Sequence, residues 1–281
     1  MFVEKSVQCV NPGGTHELVY SEFPGDPAKT VICVHGLSRN GRDFDWLALA
    51  LSIAGYRVIC PDMPGRGRSK KFDQPIYYNY PQYVSDINNL ILQLNVTSVD
   101  WIGTSMGGLI GMMLAVQPNS VIKRLVLNDV GPFIRKEALE HIRTYVGHNP
   151  TYPEWNSFLE AFKTRMAPFG IKDSAEWDFI ARISAEETLQ GYYRLNYDPN
   201  IIYAMHQAPV TDMDLWALWA LVHQKMLILH GANSDVLTSD TLHRMMIDKQ
   251  ATSVSFSGVG HAPALLSGDQ ISVVKNWLAA Q

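Results

Sequence analysis

One serine in this chain of 281 residues has a sequence context typical of a nucleophile. The stretch VDWIGTSMGGL, residues 99–109, places Ser105 inside a Gly-x-Ser-x-Gly pattern. The residues before it have the apolar, β-branched character of a buried strand, and the residues after it have that of a helix. A sharp strand-to-helix turn exposes such a serine hydroxyl, and small glycines let the strand and helix approach closely. Ser105 is therefore the predicted nucleophile.

Other parts of the sequence supply the groups that a serine nucleophile requires, which are a base, an acid that orients the base, and donors for the oxyanion. His261 follows the last strand-like run in a glycine-flanked loop, VSFSGVGHAPAL, and is the predicted base. Asp235 follows the run KMLILHG and is the predicted acid, which gives the chain order serine, aspartate, histidine. The backbone N–H groups of Leu37, in VHGLSRNG, and of Met106 are the predicted oxyanion donors.

A second carboxylate remains open as the acid, because Asp129 also follows a strand-like run, LVLNDVGP. Its alternative role is structural, holding the loop that leads into the helical segment after it. Asp240 is a third carboxylate nearby, and we predict that it lies at or near the start of the helix TLHRMM. His141 and His148 are seven residues apart on a predicted helix, but nothing else completes a metal site. The segment GRGRSK, residues 65–70, lacks the third glycine of a dinucleotide loop, so we expect neither metal nor cofactor.

Apolar runs and helical periods alternate from residue 30 onward, which predicts a parallel sheet covered by helices on both faces. The opening segment, around Val7 and again from His16 to Phe23, has the alternation and turn residues of an edge hairpin. Between Gly131 and about Trp216 no strand-like run occurs, and helix formers and aromatic residues predominate. We therefore predict three segments: a first core part (1–132), an inserted helical cap (133–215) and a second core part (216–281).

The composition favours a soluble globular protein, since 47% of the residues are hydrophobic and 18% are charged. The net charge of −4 argues against nucleic-acid binding, and the short basic cluster RGRSKK, residues 66–71, is expected to be a solvated loop. Three cysteines, two of them in strand-like runs, imply no disulfide framework. No secretory signal or membrane-spanning stretch is found, so a cytoplasmic location without membrane partners is predicted. The oligomeric state cannot be read from the sequence.

Several landmarks together resemble the α/β-hydrolase fold superfamily, and specifically its cap-bearing members of carboxylesterase type. They occur in that superfamily's order, and the resemblance covers nearly the whole chain. It implies an eight-stranded, mostly parallel sheet, a helical cap inserted after the sixth strand, and a metal-free serine hydrolase triad. The landmarks are His35-Gly36, the turn PDMPGRGRS at residues 61–69, Gly103 to Gly107, the segment NDVGP at residues 128–132, and Gly260-His261.

The serine at the elbow favours acyl chemistry, because superfamily members that cleave carbon–halogen bonds or open epoxides carry an aspartate there. The predicted function is hydrolysis of a small carboxylic ester, or a related acyl substrate, through an acyl-enzyme on Ser105. Alternatives left open are carbon–carbon bond hydrolysis or lactone opening on the same triad, and a hydrolase-derived ligand sensor. The expected partner is a small-molecule acyl substrate.

Overall fold

The computed structural model describes residues 2–247 and 249–280. Eight strands form the central sheet, and four very short strands form two further pairs. The strands are β1 (Val3–Asn11), β2 (Gly14–Phe23), β3 (Asp26–Val34), β4 (Tyr56–Pro61), β5 (Val99–Thr104), β6 (Ile122–Asn128), β7 (Phe133–Ile134), β8 (Ala185–Glu187), β9 (Tyr193–Leu195), β10 (Met213–Asp214), β11 (Lys225–Gly231) and β12 (Ala251–Phe256).

Ten α-helices connect these strands within the described residues. Five of them lie before β6 or after β11, and five lie between β6 and β11. The helices are α1 (Asp45–Ile53), α2 (Tyr80–Leu94), α3 (Met106–Ala115), α4 (Lys136–Tyr145), α5 (Trp155–Met166), α6 (Ser174–Ser184), α7 (Tyr203–His206), α8 (Trp216–Ala220), α9 (Ser239–Met245) and α10 (Gly268–Ala279).

The central sheet has the strand order β1-β2-β4-β3-β5-β6-β11-β12. β1 pairs with β2 in a hairpin, and β2 pairs antiparallel with β4. The pairings from β4 through β12 are parallel. This arrangement confirms the predicted eight-stranded, mostly parallel sheet and its edge hairpin. Because the parallel strands all end at one edge, the loops that leave β3, β5, β6, β11 and β12 meet there.

Both faces of the sheet are buried, which explains why its central strands are continuous apolar runs rather than alternating ones. Along β3, Ile32 and Val34 pack into a cluster with α2 and α3, whereas Val31 and Cys33 pack into a second cluster with α1 and α10. The three cysteines are buried and unpaired, as their odd number and apolar surroundings predicted.

The segment between β6 and β11 has its own apolar cluster, which includes Phe158, Phe162 and Ile180. The chain enters and leaves this segment side by side, because β7 pairs antiparallel with β10. We expected no strand here, yet β7, β8, β9 and β10 occur as pairs of two or three residues. Strands this short bury too few side chains to leave a sequence pattern. The division at residues 133 and 215 stays a prediction that this pairing supports.

Two predictions about helix positions had opposite outcomes. Asp240 lies in the first turn of α9, after an N-cap at Thr238. His148, however, lies beyond the end of α4 rather than on the same helix as His141. No helix among residues 2–247 and 249–280 combines the length and hydropathy needed to span a bilayer.

Candidate active site

Ser105 occupies the sharp turn between β5 and α3, with φ of 50° and ψ of −113°. Positive φ is rare for a residue with a side chain, so the surrounding structure must hold this conformation. Two glycines make the close approach possible. A Cβ on Gly103 would lie 2.4 Å from the backbone of Gly107, and a Cβ on Gly107 would lie 2.0 Å from the Val34 carbonyl oxygen.

His261 and Asp129 complete a continuous hydrogen-bonded chain with this serine. Nε2 of His261 lies 2.9 Å from Ser105 Oγ, and Nδ1 of His261 lies 2.7 Å from Asp129 Oδ2. A carboxylate only accepts, so Nδ1 carries the proton and Nε2 is free to accept the serine proton. The Ser105 and His261 side chains therefore meet as predicted, and a carboxylate orients the imidazole.

The carboxylate of Asp129 is fully buried at the end of β6 and is held from several sides. Its Oδ1 accepts a hydrogen bond from the Gly231 backbone N–H at 2.7 Å, and its Oδ2 accepts one from Ser234 Oγ at 2.5 Å. The backbone N–H of Asp129 donates to the Leu229 carbonyl at 2.8 Å. These contacts fix the carboxylate beneath the imidazole of His261.

The expectation that Asp235 contacts the histidine is wrong. Asp235 Oδ2 lies 3.1 Å from Nδ1 of His141, and both side chains are more than half exposed. The physical reason is strand order, because β6 is the direct neighbour of β5 whereas β11 is one strand further away. The loop after β11 contributes Ser234 instead, which donates to Asp129. The open alternative, Asp129, is thus the carboxylate that meets His261.

The loop after β3 brings Leu37 close to the elbow. A Cβ on Gly36 would lie 3.8 Å from the Ser105 Cβ. The hydrogen bonds of the described loops give the Leu37 N–H no acceptor, and the Met106 N–H belongs to the first turn of α3, where intrahelical acceptors are absent. Both N–H groups are thus free of acceptors among the described residues, and their role as oxyanion donors stays a prediction.

A buried histidine sets the conformation of this loop. His35 Nδ1 donates to the Gly36 carbonyl at 2.7 Å, and its Nε2 accepts from the Met63 N–H at 2.9 Å. Complete burial lowers the pKa of His35 from 6.5 to about 3. The imidazole is therefore neutral at physiological pH, with one donor and one acceptor, both used.

Arg66 is a site residue that sequence reasoning missed, because the cluster at residues 66–71 was expected to be solvated. Its guanidinium is almost fully buried. Nε donates to the Leu37 carbonyl at 2.8 Å, and Nη2 lies 3.7 Å from Met106 Sδ. Nη1 donates to the Tyr83 hydroxyl at 2.8 Å. Arg66 thus contacts both residues of the predicted oxyanion site, and the turn PDMPGRGRS was the available signal.

A cavity of about 680 Å³ opens onto Ser105 and His261. The loops at the sheet edge form one part of its wall, and the segment between β6 and β11 forms the rest. Apolar side chains from that segment include Ile142, Met166 and Phe169. The segment also contacts the histidine loop directly, since the Gly260 N–H donates to the Pro168 carbonyl at 2.6 Å.

One group among the described residues has ligand types and spacing that could hold a metal ion. Cys9, His16 and Asp86 are buried, and their ligand atoms lie within 4.8 Å of one another. The group is already bonded internally: His16 Nε2 lies 3.0 Å from Asp86 Oδ1, which also accepts from Gln82 at 2.7 Å. It lies between the edge hairpin and α2, apart from the Ser105 cavity, and the expectation of no metal stays a prediction.

The fold and the site define a hydrolase of the α/β type, and comparison with known proteins agrees. The sequence model of the alpha/beta hydrolase fold family matches residues 29–263. The chain therefore belongs to this family, which confirms the resemblance and the predicted fold class.

The alignments with individual relatives cover nearly the whole chain. It is 39% identical over 284 aligned residues to a 3-hydroxybutyrate-oligomer hydrolase from Cupriavidus necator, with 96% of each chain covered. The crystal structure of an alpha/beta hydrolase from Novosphingobium aromaticivorans is 31% identical and has a TM-score of 0.90, covering 100% of this chain and 99% of the other. An E-2-(acetamidomethylene)succinate hydrolase shares the fold at 20% identity, with a TM-score of 0.82 over 99% of this chain and 100% of the other.

Proposed function

We propose that this chain is a carboxylesterase-like serine hydrolase that cleaves a small carboxylic ester through an acyl-enzyme on Ser105. The observation that carries the proposal is the continuous chain from Asp129 through His261 to Ser105, with contacts of 2.7 and 2.9 Å. A serine, an imidazole and a carboxylate in this order constitute the machinery of acyl transfer.

The reaction proceeds in two halves. His261 Nε2 takes the Ser105 proton as Oγ attacks the ester carbonyl, and Asp129 stabilises the imidazolium that forms. The N–H groups of Leu37 and Met106 donate to the oxyanion. The tetrahedral intermediate then collapses, and His261 gives its proton to the leaving alcohol. A water, deprotonated by the same histidine, attacks the acyl-enzyme and releases the acid and free Ser105.

The cavity and the relatives together suggest the substrate. A volume of about 680 Å³ suits a small molecule. The C. necator relative is named for 3-hydroxybutyrate oligomers, whose linkages are carboxylic esters of a hydroxy acid. We infer that short hydroxy-acid oligomers are substrates of this chain, and that the helices between β6 and β11 act as the cap that encloses them.

The first test uses p-nitrophenyl esters of graded acyl length and the 3-hydroxybutyrate dimer. Wild type is expected to hydrolyse both, while Ser105→Ala and His261→Ala lose about 10⁴- to 10⁶-fold in kcat. Intact-protein mass spectrometry after rapid quenching should detect an acyl adduct on wild type and none on Ser105→Ala.

Other results of these assays would favour a different function. A wild type inert on every ester but active on a vinylogous diketone would favour carbon–carbon hydrolysis, and activity confined to lactones would favour ring opening. Slow single turnover with a large thermal shift would favour a ligand sensor. Equal rates for wild type and Ser105→Ala would overturn the nucleophile.

A further inference from the structure

The charged side chains that line the Ser105 cavity are not all neutralised by the protein. Arg39 makes a two-point ion pair with Asp43, at 2.9 and 2.6 Å. Asp235 pairs with His141 at 3.1 Å. Each of the two carboxylates that line the cavity therefore has a hydrogen-bonded partner.

Arg165 has no such ion-pair partner among the described residues. It is half-buried near the end of α5 and lines the same cavity. Nη2 donates to the backbone carbonyl of His148 at 3.1 Å, and no carboxylate of residues 2–247 and 249–280 lies within ion-pair distance. A guanidinium has five N–H donors, so most of those of Arg165 remain unused by the protein side chains and backbone described here.

The Tyr145 hydroxyl near Arg165 does not supply a negative charge that would neutralise it. The charge of Arg165 acts on the Tyr145 hydroxyl, which also lines the cavity. Burial raises the pKa of Tyr145 to about 12, with Asp235 adding to the rise and Arg165 opposing it. Tyr145 is therefore neutral at physiological pH. A half-buried guanidinium whose donors are mostly unused can bind a ligand that carries the opposite charge.

Resting on the proposed ester hydrolysis, we propose that Arg165 binds a free carboxylate of the substrate and thereby selects acidic esters over neutral ones. A carboxylate fits a guanidinium through two parallel N–H···O bonds, which gives orientation as well as affinity. Ser105 and Arg165 come from separate elements that line one cavity. A hydroxy-acid oligomer carries both groups that this arrangement needs, an internal ester for Ser105 and a carboxylate at one end for Arg165.

The test compares the 3-hydroxybutyrate dimer as free acid with the same dimer whose terminal carboxylate is a primary carboxamide. Wild type should prefer the acid about 10- to 100-fold in kcat/KM, in line with a charge-assisted pair to a half-buried guanidinium. Arg165→Gln should raise KM for the acid by that factor and leave the carboxamide within about twofold, since a neutral substrate makes no ion pair. Arg165→Lys should recover part of the preference.

Arg143→Gln is the matched control, because it removes the same charge from an exposed position on α4 that does not line the cavity. Arg143→Gln should leave kcat/KM unchanged for both the acid and the carboxamide. An equal loss on acid and carboxamide in Arg165→Gln would show a structural role and overturn the inference, as would a wild type without preference for the acid. A wild type that hydrolyses neither dimer nor any p-nitrophenyl ester would instead overturn the proposed function.

Discussion

The chemistry at the residue scale depends on which carboxylate meets the imidazole. Two aspartates follow strands at the same edge of the sheet, yet their environments are opposite. Asp129 is fully buried and accepts from Gly231, Ser234 and His261. Asp235 is exposed and pairs with His141. A buried carboxylate with fixed donors can hold one imidazole tautomer, whereas an exposed pair contributes little.

This contrast gives a paired prediction for the two aspartates. Asp129→Asn should lower kcat on p-nitrophenyl butyrate by about 10⁴-fold, because the amide no longer stabilises the required tautomer and the imidazolium. Asp235→Asn should leave kcat within about threefold, since it loses only an exposed pair. Steady-state kinetics on this neutral ester measures both. The reverse pattern would restore Asp235 as the acid.

At the scale of elements, Ser105 lines the cavity because β5, α3 and β3 approach one another without side chains between them. The Ser105 N–H donates to the Asn128 carbonyl at 3.0 Å, which ties the elbow to the end of β6. Asn128 Nδ2 donates to Thr104 Oγ1 and to the Pro263 carbonyl, each at 2.9 Å, so the elbow and the histidine loop share an anchor. Arg66 adds a third connection through Leu37 and Met106.

The close approach at the elbow can be tested with two glycines. Gly107→Ala should lower the free energy of unfolding by about 3 kcal/mol or more, because its Cβ would overlap the Val34 carbonyl and the backbone must move. Gly268→Ala, in the first turn of α10, is the control. Nothing lies within 4 Å of its Cβ, and alanine should stabilise the helix by about 0.5–1 kcal/mol. Urea unfolding monitored by circular dichroism measures both, and equal stability of the two variants would contradict the steric account.

The stability of the whole molecule should depend on pH through His35. Its pKa is about 3 in the folded chain, against 6.5 without burial. The unfolded chain therefore binds a proton at this residue as pH falls below 6.5, whereas the folded chain does not. The stabilising contribution is complete above pH 6.5 and is lost progressively down to about pH 3.

Comparison of wild type with His35→Gln isolates this contribution. Below pH 6 the wild-type free energy of unfolding should fall more steeply, by up to about 1.4 kcal/mol per pH unit for one proton. The variant is less stable at neutral pH because it loses the fitted imidazole, so the slope and not the absolute value is the readout. Urea titrations between pH 4.5 and 8 measure it, and parallel pH dependences would exclude His35 as the responsible group.

The sequence by itself determined the features that depend on short stretches of chain. The strand, turn and helix around Ser105 are contiguous, and the glycines of that turn have a steric purpose visible in the pattern. The alternation of apolar runs with helical periods determined the parallel sheet, and the loop after the last strand identified His261. Each of these features follows from local conformation and periodicity.

The tertiary structure alone decided which distant groups meet. Asp129 and Asp235 have similar local contexts, and only the order β5-β6-β11 places the first beside His261. Arg66 lies in a stretch rich in charge, which is typical of an exposed loop. Its guanidinium is buried because the fold brings it against Leu37 and Tyr83. Likewise, only the tertiary structure shows that Arg165 has no carboxylate of the described residues within ion-pair distance. Such pairings depend on packing between segments far apart in the chain, which a periodic pattern does not encode.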